Sequence, residues 1–141
     1  MNAPLPQDAL AAGPAAGSVR PDTAQTLSAR RERQQRLVSA LSGVLPAHAL
    51  LWHAEDTIPY ECDGLSAYRE RPLLVALPET EAQVAAVLRT CRELSVPVVA
   101  RGAGTGLSGG AMPHRDGVTL SLAKFSRILK VDPRERVAVV Q

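Results

Sequence analysis

The chain has 141 residues, 45% of them hydrophobic and 21% charged, which is enough for one modest packed core. A net charge of +2 is too small to build a nucleic-acid or anionic-membrane surface. The two cysteines, Cys62 and Cys91, follow no secretory signal pattern, and no apolar run approaches the roughly 18 residues of a membrane span, so free thiols in a reducing cytoplasm are expected, with no metal site.

Residues 1 to 22 hold six Ala, four Pro and two Gly and read as a disordered low-complexity leader, because they offer little large apolar surface to offset chain entropy. A helix is predicted from about Thr23 to Ser42. Its apolar stripe is Leu27, Leu37, Val38, Leu41 and Val44, and Gly43 ends it. Arg30, Arg31, Arg33 and Arg36 interleave with Glu32 and no aromatic residue, so they read as the solvated face of that helix. Residues 23 to 52 therefore form a helical N-terminal segment. The stretch HAEDTIPYECDGLSAYRERP is dense in turn formers and reads as loop.

From residue 73 the pattern sharpens. LLVAL, residues 73 to 77, reads as a buried strand ending at Pro78. Thr80 and Gln83 have the spacing of a capping box. Val84, Val87, Leu88, Cys91 and Leu94 then mark one face of an amphipathic helix, with Cys91 as a small core residue. VPVVA, residues 96 to 100, reads as a second buried strand. This strand–helix–strand unit predicts parallel strands and a right-handed crossover. GVTLSL (117 to 122), RILKVD (127 to 132) and RVAVVQ (136 to 141) read as further strands, the last two forming a hairpin around Pro133-Arg134-Glu135.

Between the second and third of these strands lies RGAGTGLSGGA, with five glycines among residues 102 to 110. Gly104 to Gly109 satisfies G-x-G-x-x-G, but no helical period follows before the next strand, so the Rossmann context is missing. Gly110 and Ala111 stand where a nucleotide-triphosphate P-loop needs Lys and Ser/Thr. A third reading needs no helix. Successive backbone N–H groups in alternating right- and left-handed conformations form a concave nest for an anion. Thr105 and Ser108 would add hydroxyl donors and Arg101 a positive charge at the mouth. The bland alternative is a long flexible turn. Tyr60, Cys62 and Asp63 read as a structured lead-in that packs on the sheet, with approach to a ligand as the minor reading. His53 and His114 read as exposed or hydrogen-bonded structural residues, and Trp52 and Phe125 as packing.

Two segments, PYECDGLSAYRERPL and RGAGTGLSGGA, resemble the FAD-linked subunits of glycolate oxidases (glycolate dehydrogenases). These belong to the flavoprotein group typified by vanillyl-alcohol oxidase and para-cresol methylhydroxylase, with D-lactate dehydrogenases among its members. The likeness runs over residues 53 to 141, taken as the first part of an FAD-binding domain. It implies an α+β fold, the N-terminal βαβ subdomain of a vanillyl-alcohol-oxidase-type FAD-binding domain, preceded by the leader and a helix. It implies FAD as cofactor. It also implies that Arg101, Gly102, Ala103, Gly104, Thr105, Gly106, Leu107, Ser108 and Gly109 wrap the FAD pyrophosphate, mostly through backbone amides.

The reaction implied is oxidation of a small 2-hydroxy acid to the 2-oxo acid by hydride transfer to flavin. The implied partners are the other subunits of a glycolate oxidase complex, an iron–sulfur subunit among them, with membrane association only through those partners. No nucleic acid and no membrane insertion are expected. Members of the family run several hundred residues longer, and this sequence still reads as strand at Gln141, so an N-terminal portion is expected. No residue is nominated as the catalytic base. Two other readings stay open: a non-catalytic fragment that has lost cofactor binding, and a relative such as a nucleotide-sugar reductase that uses the same loop on another substrate. The 141-residue chain by itself is expected to bind FAD weakly or not at all and to show no glycolate-dependent dye reduction. A flavin absorbance band co-purifying with it in stoichiometric amount would contradict that expectation.

Overall fold

The computed structural model describes residues 23–141; the leader expected over residues 1 to 22 lies outside them. Helix α1 spans Ala24–Leu41. Thr23 caps it, its Oγ1 accepting from the Thr26 amide at 3.3 Å. Leu37 and Leu41 are fully buried, while Leu27 at the other end is exposed. The chain then passes through a one-turn 3-10 segment at Ala47–Ala49 into a short strand, β1, at Leu50–Leu51. Sequence pattern gave no sign of β1, because two residues carry no period.

The stretch read as loop contains helix α2, Ala54–Thr57, and a 3-10 turn at Ile58–Tyr60. Strand β2 follows at Leu74–Ala76, buried at every position. Helix α3 covers Glu81–Glu93. Thr80 Oγ1 accepts from the Gln83 amide at 3.2 Å, and Gln83 Oε1 reaches back to the Glu79 amide at 2.7 Å, one residue before the position an ideal capping box uses. At the other end Ser95 adopts a left-handed φ of 52°, and the Val96 amide donates to the Cys91 carbonyl at 2.8 Å. That is a Schellman closure, and it turns the chain into strand β3, Val98–Arg101.

On α3, Val87 and Cys91 are fully buried and Val84 packs on the core, but Leu88 and Leu94 are exposed. At about 100° per residue the outer pair lies at opposite edges of the stripe. The helix contacts a surface narrower than its apolar face.

Strand β4, Val118–Ser121, is buried throughout. It pairs in parallel with both β2 (Val75 opposite Thr119) and β3 (Val99 opposite Thr119), giving the order β1-β2-β4-β3 with β1 antiparallel at its edge. The predicted strand–helix–strand unit is therefore present, but β4 separates its two strands. VPVVA is not a second buried strand: β3 is an edge, with Val98 and Val99 half-buried and Ala100 exposed. Its β-branched run reads like a core strand, yet an edge position leaves one flank open. Strands β5, Ile128–Asp132, and β6, Val137–Val140, form a separate two-stranded hairpin as expected, with Ile128, Leu129, Val131, Val137, Val139 and Val140 exposed.

The arginine-rich face of α1 is not simply solvated. Arg30 is half-buried. Its guanidinium donates to the carbonyls of Arg71 at 3.0 Å and Arg115 at 3.1 Å. Gln34, one turn on, donates to the Leu73 carbonyl at 2.6 Å and the Trp52 carbonyl at 3.1 Å. Together they fasten α1 to the backbone just before β2 and to the approach to β4. A helix face can be hydrophilic and still be a contact surface when the partner is main chain.

Burial pushes the Cys91 thiol up to about 11. Its neutral form is favoured in the fold, so this contribution to stability is present below about pH 9 and lost as pH rises through about 11. The unfolding midpoint is expected to fall over that window, and Cys91→Ala is expected to lose that part of the slope. In the native protein a thiol reagent should label Cys62 and reach Cys91 only in denaturant; labelling of both at equal rates would contradict the packing.

Candidate functional site

Arg101 is the last residue of β3, paired with Ser121, and its carbonyl accepts from the Leu122 amide at 2.9 Å. Beyond it the chain leaves the sheet at the carboxyl edge of the parallel strands. Because β4 is parallel to β3, residues 102 to 117 must run back along the sheet to the opposite edge, and they do so without a helix. The helix-borne dinucleotide and P-loop readings are excluded by that backbone. The carboxyl edge is where open parallel sheets place ligands.

The loop backbone has two left-handed residues, Gly104 at φ 71° and Gly109 at φ 73°. Glycine is required at both. The expected run of alternating handedness is absent: two left-handed turns bracket Thr105–Ser108. Gly109 closes the second turn, its carbonyl accepting from the Met112 amide at 3.2 Å. Among the described residues, no protein acceptor takes a hydrogen bond from the N–H groups of residues 102 to 110. A Cβ added at Gly102, Gly106 or Gly110 would meet no described protein atom within 4 Å. Their bareness answers no demand of the protein's own packing. It leaves the main chain open to close approach from outside. Thr105 and Ser108 are exposed beside these amides.

The other wall of the loop is the segment before β2. Asp63 is buried, 5% exposed, and both carboxylate oxygens are used. Oδ1 accepts from the Leu65 amide at 2.9 Å, and Oδ2 accepts from the Ala111 amide at 3.3 Å, at the far end of the glycine loop. Gly64 lies so close that an added Cβ would sit 2.7 Å from the Thr105 carbonyl oxygen and 2.8 Å from that of Gly106. Arg101 Nη1 donates to the Cys62 carbonyl at 2.7 Å, and its guanidinium carbon lies 5.6 Å from the centre of the Tyr60 ring.

The structure thus brings residues 101 to 109 together in one open loop. Arg101 does not stand at the mouth as expected. Its side chain folds back beneath Gly104, where a Cβ would collide with the guanidinium. PYECDGL packs on the loop as well as leading into the sheet. Asp63 and Gly64 were the residues sequence reading undervalued. The only signal was an Asp-Gly pair 48 residues from Ala111 in sequence, and pattern cannot join such distant positions. His114 is exposed and takes the Asp116 amide on Nδ1 at 3.1 Å, and Trp52 stacks on His53 at the surface.

Residues 72–141 match the sequence profile of a family described as "FAD binding domain". That segment belongs to this FAD-binding family. Glycolate oxidase subunit GlcD of Escherichia coli is 55% identical over 105 residues, which are 74% of this chain and 21% of that protein. D-lactate dehydrogenase of Archaeoglobus fulgidus is 46% identical over 66 residues, 47% of this chain and 15% of that protein. Among solved structures, 4-ethylphenol oxidase of Gulosibacter chungangensis superposes with a TM-score of 0.67 at 22% identity, covering 77% of this chain and 22% of that one. p-Cresol methylhydroxylase does so at 0.62 and 24%, covering 73% and 21%. The α+β fold shared with these structures is the one expected. The chain spans about a fifth of the length of the relatives it matches. FAD is the family's cofactor, and the loop's free amides, open glycine faces and hydroxyls are a donor set that fits its pyrophosphate.

Arg101→Ala removes a charged donor from a part-buried carbonyl, so a loss of about 1–3 kcal/mol in chemical denaturation is expected. Limited proteolysis should also open the backbone around residues 61 to 71. An unchanged denaturation midpoint would show that the Cys62 contact carries no stability.

Proposed function

We propose that the protein oxidises a small 2-hydroxy acid, glycolate or D-lactate, to the 2-oxo acid using FAD, and that residues 101 to 109 hold the FAD pyrophosphate. The observation that carries this reading is the loop's set of backbone N–H groups without a protein acceptor among the described residues. Exposed amides that no protein group uses are available to an outside acceptor, and phosphate oxygens are the acceptors the family's cofactor brings. The likeness to a glycolate oxidase subunit and to a D-lactate dehydrogenase supports the substrate class.

The amides of Gly102, Ala103, Gly104, Thr105, Gly106, Leu107, Ser108 and Gly109 donate to the pyrophosphate. The Thr105 and Ser108 hydroxyls add donors at the rim. Arg101 contributes positive charge from beneath the loop while its Nη1 stays with Cys62. Bound there, FAD would supply the two-electron acceptor for the hydride lost from the substrate's α-carbon. The hydroxyl proton goes to a base, a role no residue of this chain is assigned. Electrons then pass to partner subunits, one of them an iron–sulfur protein, in the cytoplasm. No helix among the described residues is long and apolar enough to cross a membrane; association with one through those partners is part of the proposal.

The test uses a polypeptide of the relatives' length that carries these residues. FAD is expected to bind more tightly than riboflavin, which lacks the pyrophosphate, by at least about tenfold, or 1.4 kcal/mol. Gly106→Val places its Cβ in open space, so the unfolding midpoint should hold while FAD affinity and glycolate- or D-lactate-dependent dye reduction are lost. Equal affinity for FAD and riboflavin, or full FAD affinity in Gly106→Val, would end the pyrophosphate assignment. FAD binding without oxidation of either acid would end the substrate assignment.

A further inference from the structure

Asp63 presents a puzzle. A buried carboxylate is costly unless its oxygens accept hydrogen bonds, and a negative charge behind an anion-binding loop repels the anion. Among the described residues no cation pairs with Asp63. Both of its oxygens are instead taken by amides, Leu65 at 2.9 Å and Ala111 at 3.3 Å. One bond turns the chain at Gly64, and the other pins the end of the glycine loop to that turn.

Gly64 then sets the orientation of two peptide groups. The carbonyl oxygens of Thr105 and Gly106 both crowd it. A Cβ at residue 64 would lie 2.7 Å from the Thr105 carbonyl oxygen and 3.0 Å from its carbon, so that peptide lies side-on against Gly64 and has no room to turn there. Gly106 is open on its own Cβ side, where an added Cβ would meet no described protein atom within 4 Å.

We propose that Asp63 and Gly64 are positioning residues for the cofactor loop: they hold its two central peptides, at Thr105–Gly106 and Gly106–Leu107, in the one arrangement that meets the ligand. This rests on the pyrophosphate reading above. A methyl group at residue 64 would press on main-chain oxygens that cannot swing aside as a side-chain tip can. The two peptide planes must rotate, and their N–H groups turn with them. Loss of the Asp63 carboxylate frees the loop's end and spreads the same peptides over several orientations.

The experiment measures Kd for FAD, for ADP (pyrophosphate without flavin) and for riboflavin (flavin without pyrophosphate), with unfolding midpoints, in a polypeptide of the relatives' length. Gly64→Ala and Asp63→Ala should each weaken FAD and ADP by about tenfold or more and leave riboflavin unchanged. Asp63→Asn keeps one acceptor oxygen and sets an NH2 donor against the other amide, so it should recover only part of the affinity. Should Asp63→Ala fail to fold, Gly64→Ala carries the test alone. If both alanine variants keep parental FAD affinity while Gly106→Val loses it, the loop reading stands and the positioning role falls. If riboflavin weakens in parallel with FAD, the two residues serve general stability and the positioning role falls as well. If Gly106→Val keeps full FAD affinity, the pyrophosphate reading fails and this inference fails with it.

Discussion

Two irregular segments, residues 60 to 65 and residues 101 to 111, give each other a shape that neither has alone. A stretch with five glycines loses more conformational freedom on ordering than almost any other sequence of its length. Little within it offsets that loss, because among the described residues its own backbone closes one turn, Met112 to Gly109. The compensation comes from across the chain. Arg101 donates to Cys62, Asp63 accepts from Ala111, and Gly64 lies against the Thr105 and Gly106 carbonyls. The site's order therefore depends on a contact between parts of the chain 39 to 48 residues apart.

That contact is itself supported from the sheet and from α1. Arg101 belongs to β3 and is held in register with Ser121 of the central strand β4. The other segment runs into β2 through residues 71 to 73, whose carbonyls are gripped by Arg30 and Gln34 of α1. Behind these polar ties, Leu37 and Leu41 of α1 and Val87 and Cys91 of α3 share the core with β2 and β4. Rigid elements thus fix both ends of the pair of loops, and the loops carry the chemistry. The arrangement is a common one for binding sites, since loops present open main chain and only a scaffold can hold it still.

Glycine serves three distinct purposes around this site. Gly104 and Gly109 supply left-handed backbone. Gly64 permits a close approach between main chains. Gly102, Gly106 and Gly110 have neither reason, and the space they leave is on the outside of the loop. A flexible turn would need none of the third kind. An anion cradle needs them, because phosphate oxygens must come within hydrogen-bond distance of the amides.

The sequence alone determined the elements with a repeating pattern. The capping box and inner stripe of α3, the extent of α1, the buried run of β2 and the hairpin around Pro133 are all local, and local pattern records them. It also determined the absence of a helix after the glycine loop, because Gly110, Pro113 and Gly117 leave no room for one. What only the tertiary structure decided is who stands beside whom. β4 entered between β2 and β3 and left β3 at the edge, Arg30 turned from solvent to main-chain carbonyls, and Arg101 folded under Gly104 instead of over the mouth. Each of these is a choice of partner across tens of residues. A strand's composition states that it will pair but not with which neighbour, and a guanidinium's donors fit any carbonyl that the fold brings near.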